Sequence, residues 1–216
     1  MDKSRADSVL DLYQTRYARI LGKIWPTIND NGFNEHNLTA NFTAAYEAVA
    51  ANHREETSAW FEFQIPNGKR NNHRIDGLIV NHTRKELYLV EAKRFSKNKL
   101  TKKRGELGDD FIRINKLDLN RRFEKFFAGD ESIAEYQVFG VLLFDLWTEN
   151  QEEKELVGHW TAICETPDSN KLSVFFDRSI EYDDLLLPGI REVKSRRWEI
   201  KDYSYYLETL IWERAT

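Results

Sequence analysis

Cysteine is nearly absent: Cys164 is the only one in 216 residues. That excludes an intrachain disulfide framework and a multi-cysteine zinc site, and the thiol, with no base motif around it, reads as a buried spectator. Long hydrophobic runs are also missing. The longest, Val138 to Phe144, is far too short to span a bilayer, and the opening MDKSRADSVLDLY carries acids where a secretory signal carries an apolar segment. A cytoplasmic protein without a membrane partner is the expectation. There is no G-x-x-x-x-G-K-[ST] loop, no G-x-G-x-x-G and no G-x-S-x-G elbow, so ATP-driven and nucleotide-cofactor chemistry have no support. The five histidines, His36, His53, His73, His82 and His159, lack metal-ligand spacing such as H-E-x-x-H. No internal repeat or low-complexity tract appears. The net charge of −4 argues against an overall basic coat, while leaving open where the positive charges sit.

What is present suffices for a folded domain. With 41% hydrophobic residues the chain can bury a core, and residues 1–216 read as one domain whose last part, about 150–216, is an elaboration. Val9, Leu12, Tyr13, Tyr17, Ile20, Leu21 and Ile24 predict a helix over about 8–24, closed by Pro26 and the Asn29 to Gly32 cluster. Leu38, Phe42, Ala45, Tyr46 and Val49 predict another from about Glu35 to Glu56. Trp60 to Ile65 reads as a strand, a helix is expected from about Gly105 to Phe127, and Tyr136 to Trp147 reads as a further strand. Beyond it, His159 to Glu165 and Leu172 to Asp177 look like strands, and Tyr203, Tyr206, Leu207, Leu210 and Ile211 look like a helical stripe.

The centre of the pattern is RIDGLIVNHTRKELYLVEAKRF, Arg74 to Phe95. Two apolar runs flank the polar stretch Asn81 to Glu86, which is a hairpin signal. With the turn between Thr83 and Arg84, paired residue numbers sum to 167, so Asp76 falls opposite Glu91. Lys93 shares the face of Glu91. Both strands are apolar on both faces and so belong inside a sheet, where two neighbouring acids need a proton, a lysine or a cation between them.

Asp76 followed by Glu91-Ala92-Lys93 resembles the D…(D/E)-x-K signature of the PD-(D/E)XK nuclease superfamily, over roughly residues 34–147, with Ile75 in place of the nominal proline. The resemblance implies a restriction-endonuclease-like α/β fold, a mixed central sheet in αβββαβ order flanked by helices, with an α+β C-terminal elaboration. Glu-x-Lys recurs at Glu152/Lys154, Glu192/Lys194 and Glu199/Lys201, the last with Asp184 upstream. Pro188-Gly189 is expected to interrupt any hairpin between Asp184 and Glu199, which leaves the first copy as the candidate.

By the same resemblance Asp76 and Glu91 would hold Mg²⁺ or Mn²⁺ with the carbonyl of Ala92, and Lys93 would orient the attacking water. A helix acid often joins such sites. Glu35 lies on the line of the buried stripe, whereas Glu47 sits about 140° round the helix from Phe42, so Glu35 is preferred. Lys69, Arg70, Arg74, Arg94, Lys97, Lys99, Lys102 and Lys103 are candidates for nucleic-acid contact. The expected activity is a metal-dependent endonuclease acting on DNA, with RNA as the alternative, in restriction, phage defence or repair, with a homodimer as one assembly open to it. The rival is a binding module of the same fold without catalysis.

Overall fold

The computed structural model describes residues 1–22, 35–65, 73–95, 100–123, 126, 132–148, 151–182, 185–193 and 204–214. Helix α1 (Lys3–Leu21) starts where the Asp2 carboxylate accepts the Arg5 backbone N–H at 2.9 Å, satisfying one orphan donor of the first turn. Val9, Leu10, Tyr13, Tyr17 and Leu21 form its buried stripe, and Leu38, Phe42, Ala45, Tyr46 and Val49 form that of α2 (Glu35–Asn52). Strands β1 (Thr57–Ile65), β2 (His73–Asn81) and β3 (Glu86–Arg94) follow, then α3 (Leu100–Asn115), the short α4 (Leu119–Phe123), a 3-10 turn at Ile133–Glu135 and β4 (Gln137–Thr148). The chain continues through α5 (Gln151–Glu165), α6 (Ser169–Phe176), β5 (Leu186–Val193) and β6 (Ser204–Glu213).

The strands make one mixed six-stranded sheet in the order β1-β2-β3-β4-β6-β5, so the fold is α/β. β1, β2 and β3 form an antiparallel meander, β3 and β4 run parallel across the α3 and α4 connection, and β6 is antiparallel to both β4 and β5. Along β3 and β4, Tyr88, Val90, Val141 and Leu143 pack with α1 and α2. Leu87, Leu89, Leu142 and Phe144 pack on the other face with α3 to α6. Burial on both faces explains why these strands are almost continuously apolar.

The structure corrects the reading of the last third. His159 to Glu165 is the end of α5, whose Leu156, Trp160 and Ile163 are buried at helical spacing. Leu172 to Asp177 belongs to α6, begun by the Asp168 carboxylate accepting the Lys171 N–H, with Asp177 as its left-handed C-cap at φ 52. The stripe from Tyr206 to Ile211 is strand β6, not a helix. Pro188-Gly189 does not interrupt pairing, since β5 runs through it and sets Pro188 against Leu210 and Gly189 against Thr209. Proline fits there because β5 is an edge strand. The expected long helix from Gly105 ends at Asn115 and resumes as α4, and the Arg214 guanidinium takes the carbonyls of Asn115 and Leu117 at the break. Asp184 and Glu199 lie outside the described residues.

Candidate active site at the end of the central hairpin

The β2/β3 ladder has the expected register: every pair from Asn81 with Glu86 to Gly77 with Val90 sums to 167. The ladder stops at that last pair, so Asp76 and Glu91, expected opposite each other, are not partners in it, and neither are Ile75 and Ala92. The Asp76 carboxylate takes the place of a strand carbonyl, accepting the Ala92 N–H on Oδ2 at 2.7 Å. The N–H and C=O of one strand residue point to the same side, so the Ala92 carbonyl faces the same gap.

The side-chain alternation also breaks at this step. Ile75 and Leu78, three residues apart, both belong to the core under α3. On β1, Glu62 falls between the pairs Phe61 with Gly77 and Phe63 with Ile75, hence across from Asp76, and adopts φ 53. A left-handed glutamate inside a strand is uncommon and is a form of local strain found at functional sites. The two strands kink together, and the kink turns Asp76 sideways toward β3. Gly77 permits α2 to come down on this point, since a Cβ there would lie 2.6 Å from Thr39 Cγ2.

Glu91 and Lys93 project from β3 toward α3, where two residues not anticipated from the sequence meet them. The Arg113 guanidinium donates to Glu91 Oε1 and to Asp110 Oδ1, each at 2.6 Å. Lys93 Nζ lies 3.1 Å from Asp110 Oδ2 and 4.0 Å from Glu91 Oε2. Asp110 occurs on the inward stripe of α3 with Leu107, Phe111 and Ile114, and a charge on such a stripe was the available signal.

Burial dominates the electrostatics. It raises the carboxyl of Asp76, with the Ala92 N–H and Lys93 pulling the other way and the charge of Glu35 adding to the rise. Glu91, buried and facing Asp110 and Asp76, is held well above the usual carboxylate range, although Arg113 and Lys93 oppose this. Asp76 and Glu91 therefore hold a proton between them more readily than two negative charges. For Lys93, burial disfavours the ammonium, yet Asp110, Glu91 and Asp76 outweigh it and its pKa is raised.

The other candidates separate by position. Glu35 caps the arrangement, its Oε1 accepting the Arg94 backbone N–H and a Lys103 Nζ proton, both at 3.2 Å. Glu47 lies on the same helix about 18 Å farther along its axis. The Arg94 side chain lies on the opposite face from Lys93, 4.0 Å from the buried Asp145. Arg74 is exposed and paired with Glu62 at 3.0 Å. Lys103 is held by Glu35 and Glu106, and Lys102 is exposed with Glu106 at 3.6 Å. Lys69, Arg70, Lys97 and Lys99 lie outside the described residues. Among the described residues no group of three or more His, Cys, Asp and Glu side chains is gathered for a metal ion. No described helix is long and apolar enough to cross a membrane. Compared with known protein families, curated proteins and solved structures, the chain matches none of them.

Proposed function

We propose that the chain is a divalent-metal-dependent phosphodiesterase of the PD-(D/E)XK type, a nuclease most simply read as a DNA endonuclease of restriction, phage-defence or repair type. The observation that carries this reading is the broken ladder, where the side chain of Asp76 turns across from β2 to β3 beside buried Glu91, with Lys93 two residues on. A purely structural strand end has no need to bring two carboxyls to one point. The donor set fits Mg²⁺ or Mn²⁺: both carboxyls and the gap-facing Ala92 carbonyl are hard oxygens, and a dication in place of the shared proton would relieve the repulsion. When bound, such a cation polarises the phosphate and lowers the pKa of a water.

The protein groups supply the rest. Lys93, charged at neutral pH and fixed by Asp110, orients the attacking water and stabilises negative charge accumulating on the phosphate. Asp110 is a positioning residue for that lysine. Arg113 supplies a second cation from α3 and keeps Glu91 and Asp110 in place.

One observation favours the rival, a binding module without catalysis: Arg113 and Lys93 already compensate the acids as a closed ion network. Incubating supercoiled plasmid with the protein, with Mg²⁺ and with chelator, separates the two. Nicking that chelation abolishes supports the nuclease, and an intact plasmid at all divalent concentrations supports the module.

A further inference from the structure

Trp60 is 55% exposed, and its neighbour Phe61 is 48% exposed, on the outermost strand of the sheet. The indole is braced from behind. It makes an edge contact with Phe126 at 6.0 Å, and Phe126 in turn packs against Phe63 at 5.2 Å and Phe123 at 5.0 Å. Its cross-strand partner Leu78 pairs with Leu89, and both belong to the core under α3. Trp60 thus lies on the face of the sheet that bears Glu91 and Lys93. Two strand spacings and two residues along β3 put its backbone about 12 Å from that of Glu91.

We propose that Trp60, backed by Phe126, is a stacking platform for an unpaired nucleobase of the strand engaged at Asp76 and Glu91. The inference rests on the nuclease reading and narrows its substrate to a nucleic acid that is single-stranded, or locally opened, beside the reacting phosphate. A phosphate drawn to Lys93 and Arg113 leaves a base of a neighbouring nucleotide within reach of the indole. Every base offers a π-face to such a ring, but in a duplex that face is already stacked on its neighbours. A second protein strand is a poorer occupant of this edge. Glu62 kinks it with its left-handed backbone, and the exposed ion pair of Glu62 with Arg74, joined by His36 at 3.1 Å, places charge along it.

The test measures binding of short fluorescent oligo-dT, oligo-U and duplex DNA to the full chain, in chelator and with Ca²⁺ in place of Mg²⁺, for the wild type, Trp60→Ala and Trp60→Phe, with sedimentation velocity on each. The expected result is about a tenfold or greater loss of affinity for the single strands in Trp60→Ala, retention within about threefold in Trp60→Phe, and an unchanged salt slope, since no phosphate contact is removed. The dT and U arms show whether DNA or RNA is preferred. Wild-type affinity in Trp60→Ala overturns the platform and leaves the nuclease reading standing. A change in sedimentation with equal loss on all probes overturns it in favour of self-association. Trp60-dependent binding without cleavage of either single strand or of plasmid in Mg²⁺ sustains the platform and removes the hydrolase, while a wild type that binds no nucleic acid in either buffer removes both.

Discussion

Lys93 is the residue at which catalysis and scaffolding make opposite demands. Asp76→Ala and Glu91→Ala are expected to abolish cleavage and weaken Mg²⁺ binding, because each removes an oxygen donor. Lys93→Ala removes a cation that repels the metal, so Mg²⁺ affinity should hold or rise while turnover falls by about 10²-fold or more. Isothermal titration and single-turnover kinetics on the three variants check this, and full activity of Lys93→Ala would refute the role given to the lysine. If the cluster is only structural, the same variant instead loses roughly 3 to 5 kcal/mol of stability. Asp145 allows a separate test by pH. It is wholly buried, accepts the Tyr205 hydroxyl on Oδ2 at 2.8 Å, and is pushed up to about 6 chiefly by burial, with Arg94 opposing. Because the folded state keeps its proton to higher pH than the unfolded chain, the stability linked to this group is present below about 4 and is lost as pH rises to about 6. Asp145→Asn keeps an acceptor for Tyr205 and should flatten that decline, by up to about 3 kcal/mol, in denaturant titrations between pH 4 and 7.

At the scale of elements, the contact of α2 with β2 sets where Glu35 stands. Gly77→Ala would drive a methyl against Thr39 Cγ2, displacing the first turn of α2 at a cost of about 1 to 3 kcal/mol. Adding Thr39→Ser removes that methyl, so the double variant should recover most of the lost stability in thermal melts. The hairpin and its 167 register were legible in the sequence because two apolar runs enclose a single polar turn, and only one pairing puts Leu78 and Val80 opposite Leu89 and Leu87. Arg113 was not legible as a site residue, because it meets Glu91 across a tertiary contact that local spacing does not encode, and Asp110 left only its charge on an apolar stripe as a signal. The strand β6 escaped for a different reason: lying between β4 and β5, it is buried on both faces and largely apolar, and such a run satisfies helical spacing as readily as strand spacing. In α5 and α6 the helical period is present in Leu156, Trp160, Ile163, Leu172 and Phe175, but the short apolar clusters within it fit a strand as well.

For the whole molecule, a cation that binds only the folded state must raise the melting temperature. Mg²⁺ at a hundred times its dissociation constant should add about 2.7 kcal/mol, and Asp76→Ala should abolish the shift. Scanning calorimetry with and without chelator measures it. A last consequence follows from the order of strands. β5 precedes β6 in the chain, yet in the sheet it touches only β6, which alone joins it to β4. The strand pairing of an earlier segment therefore waits on a later one, although α1 and α5, through Asp11 on Arg191 and the Trp160 indole on the Gly189 carbonyl, can hold β5 before β6 arrives. Until β6 closes the long loop back to β4, the backbone N–H and C=O groups along one flank of β4 stay unpaired, a template for pairing with other chains. The half of the sheet farthest from the carboxylates is thus the kinetically exposed half, where misassembly during refolding should begin.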